Sequence, residues 1–308
     1  MQRILITGSD GFIGSHFMRH YTKKATLFGF DRNRETHNGF CDYIRGDICD
    51  YYSLECAFEQ VQPDIVLHLA AMVSRKESEE TPFMAIQTNV DGTLNVVKLC
   101  NKYNARLIYS GSSEEYGTAF YGGKVVTEDT PFGTPTSIYS MTKRMSEEVI
   151  QYHALFRGLT ATTIRFFMLY GPGEVYSQYR SAISRFIGDA DCDKDIVVHR
   201  GTARQWCYID DALEGITSIV ERKQSEPYET YNIGSDETVD TTDLAEKIIA
   251  ATGSCSHIIE VDPEPTIIPI KLANFAKMKS VFGWRATTSL DDGLRSTIDN
   301  DPYIPARV

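Results

Sequence analysis

The sequence predicts an α/β fold, a doubly wound parallel sheet with a smaller C-terminal α/β lobe. Three observations carry that prediction. Short apolar runs alternate with helical stretches through the first half of the chain, and a glycine-rich turn joins the first run to the first helix. The alternation then breaks after Tyr170.

Taken in order, residues 3–7, 26–31, 65–70, 106–110 and 161–165 are short and apolar, as suits strands buried on both faces of a parallel sheet. Between the third and fourth runs, Ile86, Val90, Leu94 and Val97 form one apolar stripe at helical spacing. A second helix is predicted over about 136–157, with Met145, Val149, Tyr152 and Phe156 on one face. Strands alternating with crossover helices imply βαβ units. After Tyr170, Gly171-Pro172-Gly173 reads as a turn and 189–195 as an acidic loop. A helix near 210–222, a strand near 230–233 and a helix near 241–251 follow, with 262–269 as an extended Pro-rich connector. The expected division is a domain over 1–170 and a lobe over 171–308. That lobe is expected to pack on the first domain as one wall of a cleft, with some chain returning to the first core.

The chain has 308 residues, of which 42% are hydrophobic and 24% charged, and a net charge of −11. This is an ordinary globular composition. Its acidity argues against a nucleic-acid or anionic-membrane surface. No apolar run approaches bilayer length, and no basic stretch followed by an apolar one opens the sequence, so a cytoplasmic protein is expected. Seven cysteines without a C-x-x-C pair read as free thiols. His16 and His20 stand at i, i+4 but lack a third ligand, so they read as packing, and no metal site is expected.

Thr7-Gly8-Ser9-Asp10-Gly11-Phe12-Ile13-Gly14 follows the first strand and opens a helix. Gly8 permits the tight turn, Gly11 lets a pyrophosphate approach the backbone, and Gly14 lets the helix pack closely on the sheet. Asp31, 17 residues after Gly14, ends the next strand. Its carboxylate suits ribose hydroxyls and repels a 2′-phosphate, which favours NAD; Arg32 and Arg34 keep NADP as the alternative. This order is that of a Rossmann-type doubly wound parallel sheet. Asp47 is a candidate adenine contact, or else the N-cap of the helix from Tyr51.

Tyr139 and Lys143 stand four residues apart on the second predicted helix, which puts them on one face. A neighbouring ammonium favours phenolate, so Lys143 is expected to lower the Tyr139 pKa and make it a base. The same lysine is placed to hold the nicotinamide ribose.

With these residues in place the chain resembles the extended short-chain dehydrogenase/reductase family, in particular its nucleotide-sugar epimerases and dehydratases. The likeness runs through TGSDGFIG (7–14), FD (30–31), GDI (46–48), HLAA (68–71), TNVDGT (88–93), SGSSEEYG (110–117), YSMTK (139–143), YGPG (170–173), RQWCYIDD (204–211) and FGW (282–284). It implies Ser112 as the hydroxyl completing a Ser–Tyr–Lys triad. It implies cofactor contacts from Phe12, Ile13, Arg32, Ile48, Leu69, Ala70 and Ala71, and substrate contacts from Ser113 and Arg204. The segment 112–117 is similar to that of sugar 4,6-dehydratases and UDP-glucuronate decarboxylases, and Glu114 matches the second acid/base of the dehydratases, although 4-keto-hexulose reductases carry a similar string. Glu115 reads as a solvated loop carboxylate, and Asp210 and Asp211 as caps of the following helix. Met168 stands where R-x-x-N-x-Y-G would place an amide, and Arg180 is the candidate to compensate. The resemblance implies a homodimer acting on a nucleotide-diphosphate sugar by transient C4 oxidation. The alternatives are an NAD(P)H-dependent 4-keto-sugar reductase, a UDP-glucuronate decarboxylase-like enzyme and a non-catalytic NAD-binding protein.

Overall fold

The computed structural model describes residues 1–33 and 42–300. Arg34 and Cys41 lie outside the described residues. In chain order the main elements are β1 (Arg3–Thr7), α1 (Phe12–Tyr21), β2 (Thr26–Asp31), β3 (Asp42–Arg45), α2 (Tyr51–Val61), β4 (Ile65–His68), α3 (Arg75–Glu80), α4 (Pro82–Ile86), α5 (Gly92–Tyr103) and β5 (Arg106–Ser112). There follow α6 (Ile138–Phe156), β6 (Ala161–Phe166), α7 (Ala182–Asp191), α8 (Ile209–Glu221), β7 (Tyr228–Ile233), α9 (Thr241–Thr252), α10 (Ala276–Phe282) and α11 (Leu290–Asn300). The sheet order is β7-β6-β5-β4-β1-β2-β3. The strand pairs from β3 to β5 are parallel, with Thr7 beside both Phe30 and His68, and His68 beside Tyr109. The chain reverses its direction of winding between β1 and β4, so the carboxyl ends of those strands flank the switch point where such sheets bind ligands.

Two compact units emerge. One holds 1–115, 137–165 and 216–231; the other holds 116–136, 166–215 and the chain from 232 onward. In the first, Leu5, Phe30, Leu54, Phe58, Val66 and Leu99 are among the fully buried core residues. In the second, Tyr116, Phe120, Phe167 and Phe275 interlock as an aromatic cluster. There the Trp284 indole donates to the Asp211 carbonyl at 2.9 Å, and the Asp211 carboxylate accepts from the Thr287 and Thr288 backbone N–H groups. Asp210 and Asp211 lie inside the first turn of α8, and Asp211 ties down the 284–288 segment instead of capping its own helix.

Three further expectations are corrected. The stripe Ile86, Val90, Leu94 and Val97 does not run down one regular helix, because residues 87–91 form a π-turn between α4 and α5. Of the four, only Val97 is fully buried. On α6 the stripe of Met145, Tyr152 and Phe156 points outward, with Phe156 69% exposed. The buried face of α6 is polar instead, with Tyr139, Lys143 and Glu147 one turn apart. Residues 189–191 belong to α7 rather than to an acidic loop.

Met168 carries a left-handed backbone, φ +37°, a conformation that Asn accepts more readily than a bulky side chain. Replacing Met168 by Asn is therefore expected to stabilise the fold by about 1 kcal/mol. The check is a rise in the urea midpoint at unchanged slope; an unchanged or lower midpoint refutes the strain at this position.

Candidate active site

The glycine turn is built by close approaches that no side chain could share. Gly8 has φ +74°, and a Cβ there would lie 2.6 Å from the Ala70 nitrogen. A Cβ on Gly14 would lie 2.2 Å from the Gly8 carbonyl oxygen. Gly11, the glycine assigned to face a pyrophosphate, meets the protein more loosely, at 3.1 Å from the same oxygen. It opens α1 as its N-cap residue without a side-chain cap bond, so that helix end still has unsatisfied N–H groups to offer. Ser9 is fully buried in this turn. The Asp31 carboxylate closes the turn from the next strand, accepting from the Asp10 N–H at 3.1 Å and from the Asn33 N–H at 3.2 Å. Phe12, Ile13, Leu69, Ala70 and Ala71 are half-buried around it, Arg32 is exposed and Ile48 is buried. The cradle fits a dinucleotide.

Asp47 is exposed, and its Oδ1 accepts from the Cys49 N–H at 2.9 Å. It is not the N-cap of α2. Asp50 fills that role, accepting from the Tyr52 and Ser53 N–H groups.

Ser112 ends β5, while Tyr139 and Lys143 come from the buried face of α6. The Ser112 side chain lies near enough to the phenol to act on its acidity, and the Lys143 ammonium donates to the Ser110 carbonyl at 2.7 Å, lying 4.8 Å from the Tyr109 ring centroid. The structure thus brings the three residues to one buried place. Its electrostatics differ from the expectation: burial pushes the Tyr139 phenol above its ordinary range. The Ser112 side chain opposes that rise, and Glu114 and Glu115 add to it. Burial also lowers the Lys143 ammonium to about 8, against the pull of Glu115. The site as built keeps both groups in low dielectric, and desolvation is the largest influence on each.

Glu114 is 5% exposed, its N–H donates to Ser112 Oγ at 3.2 Å, and its carbonyl accepts from Ser140 Oγ at 2.7 Å. Glu115 is not a solvated loop carboxylate. It is fully buried, and its Oε1 accepts from the Ser112 N–H at 2.7 Å. Its Oε2 lies 3.6 Å from Arg165 Nε, and the Arg165 guanidinium grips Glu147 at 2.5 and 3.0 Å. Burial, then the charge of Glu147, push the Glu115 carboxyl well up. Glu147 is held low despite its burial by Glu115 and by Arg165.

Two residues escape a reading of the sequence. Asn89, in the π-turn, accepts from the Met72 N–H at 2.8 Å and donates to Thr142 Oγ1 at 2.9 Å, which ties the loop after β4 to the turn of α6 between Tyr139 and Lys143. An Asn in the middle of a helical run is the available signal. Glu147 extends the Tyr139–Lys143 spacing by one further turn, a ladder visible in the sequence.

Of the substrate candidates, Ser113 is fully buried and Arg180 is exposed. The Arg204 guanidinium donates to the backbone carbonyls of Ala203, Ile268 and Pro269. Among the described residues no group of three His, Cys, Asp or Glu could hold a metal ion, and His16 packs against the Phe12 ring at 5.3 Å.

The model of the NAD dependent epimerase/dehydratase family matches residues 4–234. The chain belongs to that family. It is thus an enzyme of an NAD-dependent class. It is 30% identical to the UDP-N-acetyl-alpha-D-glucosaminuronate decarboxylase of Bacillus cytotoxicus, over 96% of this chain and 97% of that one. It is 26% identical to the UDP-glucuronic acid 4-epimerase from Bacillus cereus, solved with UDP-glucuronic acid and NAD, with TM-score 0.87 and coverage of 99% of both chains. The UDP-glucose 4-epimerase of Thermus thermophilus shares the fold, with TM-score 0.89 at 24% identity, 97% of this chain and 98% of that one.

NAD is expected to bind at least about tenfold more tightly than NADP. A carboxylate facing a phosphate at contact distance opposes binding by more than the 1.4 kcal/mol that tenfold requires, even in a partly screened site. Titration of both cofactors by protein fluorescence checks this, and equal or reversed affinities refute the role of Asp31.

Proposed function

We propose that this enzyme transforms a nucleotide-diphosphate sugar by transient oxidation at C4, followed by epimerisation or elimination, without net redox change. The observation that carries the proposal is the common burial of Ser112, Tyr139 and Lys143, with Lys143 one turn after Tyr139 on α6 and the Ser112 side chain acting on the phenol. Ser112 holds the oxygen on the carbon being oxidised, and Tyr139 takes the proton of that hydroxyl and later returns it. Lys143 supplies the positive charge beside the phenol and holds the nicotinamide ribose. NAD, when bound, is the two-electron acceptor that makes C4 a ketone and gives the same electrons back. Gly8, Gly11, Gly14 and Asp31 hold it, with Phe12, Ile13, Arg32, Asp47, Ile48, Leu69, Ala70 and Ala71 around it. We assign the substrate contacts to Ser113, Arg180 and Arg204.

What happens at the ketone stage depends on Glu114. A C4 ketone acidifies the C5 proton, and a buried carboxyl beside Tyr139 is suited to remove it. The names of the relatives point to a UDP-linked uronic acid among the substrates to try. The test is a panel of UDP- and dTDP-linked hexoses and UDP-linked hexuronic acids, turned over in deuterated water and read by mass spectrometry. Elimination puts deuterium at C5 or C6. Decarboxylation puts it at C5 and releases carbon dioxide. Epimerisation at C4 incorporates none. If Glu114 is the C5 base, Glu114→Gln lowers the rate by about 100-fold or more; an active Glu114→Gln enzyme with no deuterium uptake leaves the epimerase.

Tyr139→Phe is expected to remove most turnover while leaving NAD affinity within about twofold, because only the proton-transferring group is lost. Near-normal rates in that variant refute the triad.

We also propose a homodimer. The outward face of α6, with Met145, Tyr152, Leu155 and Phe156, and the exposed Phe83 and Met84 of α4 supply apolar surface for a second copy. Tyr152→Glu combined with Phe156→Glu is expected to convert a dimer to a monomer by light scattering; a dimer that survives both charges places the interface elsewhere. The six described cysteines are all free, which supports a cytoplasmic setting, and among the described residues no helix is long and apolar enough to cross a membrane.

A further inference from the structure

Glu115 has no part in the reaction as proposed, yet it is wholly buried. An apolar side chain could occupy such a place without the desolvation that a carboxyl group suffers. Resting on the triad reading, we propose that Glu115 is a positioning residue, whose carboxyl group fixes the Ser112 backbone and so aims the Ser112 hydroxyl at Tyr139.

One oxygen of that carboxyl group is hydrogen-bonded, and the other stands at ion-pair distance from Arg165. Oε1 accepts from the Ser112 N–H at 2.7 Å, and this is the backbone donor of the catalytic residue itself. A Cβ on Gly111 would stand 2.9 Å from the same oxygen, so the glycine before Ser112 leaves the room that the carboxyl group needs. Oε2 lies 3.6 Å from Arg165 Nε, and Arg165 on β6 is locked to Glu147 of α6 by two short bonds. Tyr228 on β7 donates to Glu147 at 2.8 Å and holds the far side. The chain of contacts therefore runs from α6 through Glu147 and Arg165 to Glu115, and from there to Ser112. Tyr139 stands on that same helix, two turns before Glu147. Ser112 and Tyr139 are thus both referenced to one rigid element, as precise placement of a catalytic pair requires.

The test is steady-state kinetics, with the nucleotide sugar that the panel shows to be turned over, on Glu115→Leu, Glu115→Gln and Glu115→Asp, each purified with its NAD content measured. Leu removes the acceptor and is expected to lower kcat at least about tenfold, with KM and NAD content within about twofold. Gln keeps an oxygen for the Ser112 N–H and is expected to restore kcat to within about threefold of the parent. Asp retains the acid but withdraws it by one methylene, and it gives the reading if Leu does not fold; its kcat is expected to fall several-fold at unchanged KM. A kcat that survives Leu or Asp overturns the proposal. So does a loss that Gln shares, or a loss matched by a rise in KM. Tyr139→Phe serves as the control. If it stays active the triad reading fails, whereas an inactive Tyr139→Phe beside a normal Glu115→Leu sinks the positioning role alone.

Discussion

The polar face that α6 turns inward is the constraint on which the rest of the structure depends. An ammonium and two carboxyl groups in a dry interior are tolerated only when each has partners. Tyr139, Lys143 and Glu147 repeat at one-turn intervals and so demand partners in a row. The Ser110 carbonyl, Ser112 and Arg165 supply them from β5 and β6. The π-turn before α5 belongs to the same solution: it delivers Asn89 to Thr142, and the Asn89 carbonyl accepts from Ser146 at 2.7 Å. Over its first two turns and beyond, to Glu147, the inner face of α6 is polar, whereas Ile150 and Ala154 join the core further along; Met145, Tyr152, Leu155 and Phe156 are left on the outside.

The second requirement is backbone proximity. Gly8 and Gly14 are dictated by the protein's own contacts, since a Cβ on either would overlap neighbouring backbone atoms. Asp31 then ties the second strand to this turn through the Asp10 N–H. The glycine turn and Ser112 both lie at the carboxyl ends of the parallel strands, where the ladders keep Thr7, Phe30, His68 and Tyr109 in adjacent register. His68 contributes to this floor as a neutral ring between the Thr7 and Thr93 hydroxyls, at 2.7 and 3.0 Å. Burial and then Lys143 lower its pKa to about 3. Its role there is structural.

Much of this is legible in the sequence where local pattern and tertiary need agree. β1 and β2 fall on the runs predicted for them, because strands buried on both faces must be continuously apolar. The glycine turn and the Tyr139–Lys143 pair are legible because their chemistry imposes fixed spacing. The differences share a cause. The apolar stripe on α6 reads as core in the sequence, although the inward face is taken by Tyr139, Lys143 and Glu147 and then by Ile150 and Ala154, which turns Met145, Tyr152 and Phe156 outward. Glu115 reads as solvated because an acid beside another acid in a loop is usually hydrated. Its burial depends on Arg165, fifty residues later, and no local window contains that partner. The raised Tyr139 pKa escapes the sequence for a similar reason, since spacing reports which groups are neighbours but not how much water remains around them.

The central claim is that C4 gives its hydride to bound NAD and the same hydride returns to the sugar, with Ser112, Tyr139 and Lys143 serving the proton transfer. The most direct measurement uses a nucleotide sugar deuterated at C4, turned over by protein loaded with unlabelled NAD and with no cofactor in solution. The account predicts product that retains the deuterium over many turnovers, at C4 after epimerisation or decarboxylation and at C6 after elimination of the C6 hydroxyl. Loss of the label from product, or turnover that stops after one equivalent unless cofactor is added, would contradict it.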